Sequence, residues 1–170
     1  MDTVVIIFLF PIIFMLHEFE EIIFVPGWVA KHRNNPKINQ QYWIKTFTKY
    51  SVTSKSFSIL IAEEFVIASI LTIIAVLLNL YPMIIGLFIS YALHLIMHIL
   101  SALQYRRYVP GAPSSVITLP IILWMLFTLV EQTGAELMHV IIWALIFTVG
   151  LILNLAALYR ITPFINKLIK

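Results

Sequence analysis

Five long apolar runs, separated by short polar segments, constrain this chain more than any other feature. They cover about residues 3–25, 57–80, 83–103, 116–130 and 137–159. As helices rising ~1.5 Å per residue, runs of about twenty residues cross a ~30 Å hydrocarbon layer. A soluble fold is excluded, because 61% of the residues are hydrophobic and 11% charged, where a soluble domain carries about a quarter charged residues to coat its surface. The expected fold class is therefore all-α: an integral, multi-pass bundle of five transmembrane helices in the cell membrane, forming a single transmembrane domain over residues 1–170. Pro26-Gly27-Trp28 is expected to end the first helix. That helix reads as retained and not as a signal peptide, because Asp2 stands where a basic segment would precede a cleaved leader and no small-residue cleavage site follows.

Loop charges predict the orientation. Lys31, Arg33, Lys37, Lys45, Lys49 and Lys55 lie between the first and second runs, Arg106 and Arg107 between the third and fourth, and Arg160, Lys167 and Lys170 at the C-terminal end. These are all 11 basic residues. With an odd number of spans they share one face only if the N-terminus is outside and the C-terminus cytoplasmic. The stretch 31–55 mixes Tyr42, Trp43, Phe47 and Tyr50 with lysines, a pattern of either an interfacial cytoplasmic loop or a short helix lying among headgroups. The net charge of +3 follows from this asymmetry, so the expected partner is the lipid bilayer and no nucleic acid. There is no Cys, which excludes disulfides, thiolate metal sites and thiol catalysis.

Ionisable residues interrupt the apolar runs, although each costs roughly 2.5–3.5 kcal/mol at the centre of a spanning helix. His17, Glu18, Glu20 and Glu21 lie in the first run, Glu63 and Glu64 in the second, His94 and His98 in the third. No Lys or Arg inside these runs neutralises them. His17, Glu20 and Glu21 are spaced i, i+3, i+4 and share a face, with Glu18 about 100° away from His17. His94 and His98, at i and i+4, share another. Counted from the basic ends of the helices, His17, Glu64, His94 and His98 lie roughly 9–15 Å deep and Glu21 about 6 Å. Asn154 of the last run falls at about 9 Å as well.

Imidazoles and carboxylates at one depth, without a basic residue, require protons or a divalent cation, and they are ligands for zinc or iron. His17, Glu21, Glu64 and His98 are the expected metal ligands, with Glu20 and Glu63 as catalytic acid or base. His94, Asn154 and Glu18 are expected to be further ligands or groups that orient the ligands. The metallopeptidase helix motif H-E-x-x-H is broken by Glu21 at its second His position, which argues against a peptidase.

His17-Glu18-Phe19-Glu20-Glu21, followed by His98, Arg106-Arg107, Tyr108-Val109-Pro110-Gly111 and Leu119-Pro120, resembles the HXXEE-domain family of bacterial integral membrane proteins. The resemblance covers about residues 10–125. It implies no reaction. Family members often carry Asn where this chain has His94, a departure that weighs against His94 as a direct ligand. Pro110 and Gly111 suit a tight turn that places Arg106, Arg107 and Tyr108 over the mouth of the site. There they serve either as a rigid interfacial anchor or as a receptor for an anionic headgroup or phosphate.

The functional reading is a metal-dependent membrane hydrolase or oxidoreductase acting on a lipid-like or amphiphilic substrate, the cation activating water and a spare carboxylate acting as base. The alternatives are a cation or proton transporter, since such residues also mark ion pathways, and a non-catalytic membrane partner protein. Against transport, the outer halves of the first three runs offer little beyond Ser69, Thr72 and Ser90.

Overall fold

Six α-helices form the chain in the computed structural model, which describes residues 1–36 and 41–169. They are α1 (Thr3–His32), α2 (Tyr42–Lys49), α3 (Ser54–Leu77), α4 (Tyr81–Tyr105), α5 (Ala112–Thr133) and α6 (Leu137–Leu168). All but α2 are long and apolar enough to cross a membrane, and no strand occurs among the described residues. The architecture is an all-helical membrane bundle.

Local chemistry sets the helix ends. Asp2 caps α1 by accepting from the Val4 N–H at 2.8 Å, and Thr53 and Ser56 form a reciprocal capping box at the start of α3. Gly134, at φ +59°, ends α5 in the left-handed conformation that glycine adopts without strain. The expected stop at Pro26 is overturned, since α1 runs through Pro11 and Pro26 to His32. A proline removes one backbone hydrogen bond but keeps a helical φ, and packing around the last turns repays the loss. There Trp28 is buried and its indole donates to the Tyr108 carbonyl at 3.0 Å.

Within the stretch expected to be a loop or an interfacial helix, α2 is helical. Ile44 and Phe47 point inward, with Phe47 edge-on to Phe57, while Lys45 and Lys49 point out. Lys37 and Lys170, two of the basic residues used for orientation, lie outside the described residues.

Helix α6 packs on both α4 and α3. Near its start it lies on α4, where a Cβ on Gly86 would come within 2.6 Å of the Trp143 Cβ, so only glycine permits this approach. Farther along, Asn154 donates to Glu63 of α3 at 3.0 Å, and Asn166 donates to the Ser51 carbonyl at 2.9 Å. The core is aromatic, with Phe10 stacked on Phe88 at 4.4 Å and edge-on to Tyr91 at 5.4 Å. In lipid such burial gains van der Waals packing and little from release of water. Ile12, Leu16, Phe19 and Ile23 form an exposed apolar stripe on the opposite side of α1, as a lipid-facing surface requires.

Candidate metal centre

The inward face of α1 is centred on Phe10, Phe14, Glu21 and Val25, which fall within about 60° of one another on a 3.6-residue helix. His17 and Glu18 flank that centre on either side, and Glu20 sits about 100° off it. Burial follows the angles: His17 is 0% exposed, Glu18 3% and Glu21 8%. Glu18, although about 100° from His17, therefore faces inward as well. Glu18 lines the central cavity, and Glu20 is the residue that leaves it.

Four side chains converge where α1 meets α4. His17 Nε2 lies 3.3 Å from His94 Nε2, which lies 3.1 Å from His98 Nε2. His98 Nε2 is 2.9 Å from Glu21 Oε1, and Glu21 Oε1 is 3.9 Å from His17 Nε2. All four residues offer ligand atoms within 4.8 Å of one another. Donors ~2.1 Å from a common cation stand about 3.0 Å apart at right angles and about 3.4 Å apart at the tetrahedral angle. Three of the observed edges, 2.9, 3.1 and 3.3 Å, match that spacing and the fourth, at 3.9 Å, is longer, so these residues could hold a metal ion after a small adjustment.

The outer ring nitrogens fix which lone pairs face inward. His98 Nδ1 lies 3.2 Å from the Pro110 carbonyl, which can only accept, so Nδ1 carries the proton. Ser114 Oγ lies 3.2 Å from the Gly111 carbonyl and 2.9 Å from His17 Nδ1, and with its proton directed to the carbonyl it accepts from Nδ1. In their neutral forms both imidazoles then present a bare Nε2 to the centre, as metal-ligating histidines do. Two protons, one between His98 and Glu21 and one between His94 and His17, would satisfy those contacts. They would also leave hydrogen on both nitrogens of the 3.1 Å His94–His98 contact. A cation held by the three Nε2 atoms and Glu21 would leave no such pair.

The turn after α4 supports this arrangement. Gly111 takes φ +85°, and a Cβ there would come within 2.5 Å of His98 Nδ1 and 2.7 Å of Glu21 Oε1. Glycine is thus required twice, for its conformation and for the space it leaves. Glu20 braces the turn from α1. Its Oε2 accepts the Ser114 N–H at 2.9 Å, filling an unpaired donor at the start of α5, and its Oε1 accepts the Tyr108 hydroxyl at 3.0 Å. Burial and the Glu20 carboxylate hold the Tyr108 phenol well above its usual pKa, so it stays a neutral donor.

A cavity of about 500 Å³ adjoins the cluster, its walls including Glu18, Glu21, Glu64, His94, His98 and Asn154 amid apolar side chains. Glu64 belongs to this wall and stands outside the four-residue group. Its Oε1 is buried without a hydrogen bond, as is the Tyr91 hydroxyl. Equal depth brought Glu64 to the right level, but its angle on α3 directs it to the cavity. Glu63 accepts from Asn154. Arg106 and Arg107 are exposed on the turn, Arg106 ending α4 at φ +50°. His94, discounted on resemblance, is the residue that touches both other imidazoles. Pro110 and Ser114, which orient two ligands, went unrecognised from the sequence.

A membrane-spanning helical bundle with a His/Glu cluster that could bind a metal is the class that fold and site define. The family described as protein of unknown function with HXXEE motif matches residues 8–125, more than half the chain. The chain belongs to that family. No curated protein and no solved structure matches it.

Proposed function

We propose that the protein is a metal-dependent enzyme of the cell membrane that acts on a lipid-like substrate at the end of the bundle bearing the basic residues. One observation carries this reading: three imidazoles and a carboxylate could hold a metal ion, and three of the four, Glu21, His94 and His98, stand on the wall of a large apolar cavity. Such pockets, apolar with a few convergent polar groups, are the usual form of small-molecule sites. The N-terminus is outside and the site lies in the cytoplasmic half of the bilayer, because Lys31 and Lys55 lie in the terminal turns of α1 and α3 at that end and Arg33, Lys45, Lys49, Arg106 and Arg107 lie beyond it.

His17, His94, His98 and Glu21 hold the cation, which supplies Lewis acidity and, if it is iron, redox chemistry. Four protein donors complete the coordination of zinc but leave positions open on iron, so the donor count favours iron. Glu18 and Glu64, on the cavity wall, are placed to accept or return a proton at the substrate. Glu20 and Glu63 have the structural partners Ser114, Tyr108 and Asn154, and their task is to hold α5 and α6 in place.

Transport fits the structure less well. Phe10, Phe14, Phe88 and Tyr91 pack together on the far side of the cluster, leaving no polar route onward. The test is to incubate the protein in vesicles of mixed lipids with added iron or zinc and follow the lipids by mass spectrometry. Metal-dependent conversion that disappears in Glu21→Gln supports the enzyme. Unchanged lipids, with cation flux across the vesicles that the same substitution abolishes, would overturn it in favour of transport.

A further inference from the structure

The cavity is long, narrow and parallel to the helices. On α1 it runs from Phe10 to Val25, on α3 from Phe57 to Leu71, and on α4 from Leu87 to Ser101. Each of these stretches is about 20 Å at ~1.5 Å per residue. A volume of about 500 Å³ spread over that length gives a mean cross-section of about 25 Å². One methylene strand occupies on the order of 20 Å², given the ~4 Å spacing of carbon atoms in contact. There is room for an extended acyl chain.

The cavity also opens sideways. Ile67 of α3 and Met97 of α4 line it yet are 41% and 62% exposed. On a membrane-spanning helix such residues face lipid. Both stand near the level of the cluster, Met97 between His94 and His98 in sequence and Ile67 three residues after Glu64.

We propose that one acyl chain of a bilayer lipid enters through this side opening and lies extended along the cavity. A lipid of the leaflet at the basic end already has its chain parallel to these helices. Its headgroup then sits beyond Val25, Trp43 and Phe57, and its methyl end reaches Phe10, Leu71 and Leu87. The cluster stands partway along, with Glu64 about 10 Å from the levels of both Phe57 and Leu71. The portion of substrate beside the ligands is thus the interior of the chain and not the headgroup. Resting on the proposed function for the reacting centre, this assigns the substrate class of that centre.

The test uses protein in nanodiscs of phosphatidylcholine doped with the same lipid carrying a photoreactive diazirine, at either the middle or the methyl end of one chain. Crosslinks are mapped by peptide mass spectrometry and metal is measured on the same samples. The mid-chain probe is expected to label Glu18 or Glu64, and the terminal probe the Phe10, Leu71 and Leu87 end. Gly150 lines the cavity, and nothing lies within 4 Å of a Cβ built on it, so Gly150→Leu should fold normally and fill the chain's path. Internal labelling should then fall at least severalfold because the added side chain blocks the path, with metal content unchanged. Ala68→Phe, on the facing wall, is the second variant, and the same loss is expected. Labels confined to the outer lipid-facing stripe, or internal labelling undiminished in both variants, would overturn the proposal. Internal labelling in protein that binds no metal would uphold it while removing the enzyme reading.

Discussion

Replacing Ser114 with alanine removes the group that orients His17 without touching any ligand. In the native chain the Ser114 hydroxyl lies 3.2 Å from the Gly111 carbonyl and 2.9 Å from His17 Nδ1, so with its proton on the carbonyl it holds the Nδ1–H tautomer of His17. Without that acceptor, His17 is free to take the other tautomer, which places a proton on the nitrogen facing the cluster. The imidazole is fully buried, so no water stands ready to replace the lost partner. Removal of such an orienting contact costs about 10–100-fold in metal affinity, equivalent to about 1.4–2.7 kcal/mol. The loss of the hydrogen bonds alone costs the fold only about 1 kcal/mol. Ser115→Ala is the matched control, because the neighbouring Ser115 hydroxyl is buried and has no hydrogen bond, so its removal should leave affinity unchanged. Ser114→Thr restores the hydroxyl and should recover most of the binding. Chelator competition on the three variants in nanodiscs measures the affinities. Equal affinities in the Ser114→Ala and Ser115→Ala variants would refute the claim that the turn sets the His17 tautomer.

Three further outcomes follow from the same geometry. Gly111→Ala should abolish metal binding and lower thermal stability, since the left-handed backbone alone costs about 1–2 kcal/mol and the new Cβ would press on His98 and Glu21; native-like melting and metal content would contradict this. Glu64→Gln should keep its metal, because Glu64 lies outside the ligand group, yet lose lipid conversion, which paired metal analysis and lipid mass spectrometry would show. Glu20→Gln keeps one acceptor oxygen for the Ser114 N–H while its amide nitrogen donates to the Tyr108 hydroxyl, and should keep metal affinity within about threefold, whereas Glu20→Ala leaves a helix N–H unpaired and should destabilise the fold by about 1–3 kcal/mol, read from denaturation midpoints.

The spans were legible because lipid imposes a length and a composition that nothing else in the chain imitates. Depth was legible for the same reason, since rise per residue converts position into level. Angle was not. Whether Glu18 or Glu20 faces inward depends on which stripe of α1 packs on α4, and Phe10, Phe14 and Val25 settle that only in the folded bundle. Glu64 shows the same limit on α3. His94 was visible through its i, i+4 spacing with His98 and was discounted because relatives often carry Asn there. Proline signals ended α1 too early, because a helix inside a bundle tolerates what a free helix does not. Ser114 carried a faint signal as the third residue of α5, but the His17 contact depends on how α5 docks.

Metal analysis combined with X-ray absorption spectroscopy on the purified protein, beside His94→Ala, tests the central claim most directly. The account predicts about one metal ion per chain, with scattering from three imidazoles and one carboxylate oxygen at about 2.0–2.2 Å, and loss of that ion in the variant. Absence of stoichiometric metal after loading with iron or zinc, or an unchanged ligand shell in His94→Ala, would contradict it and leave the four residues as a proton-held network.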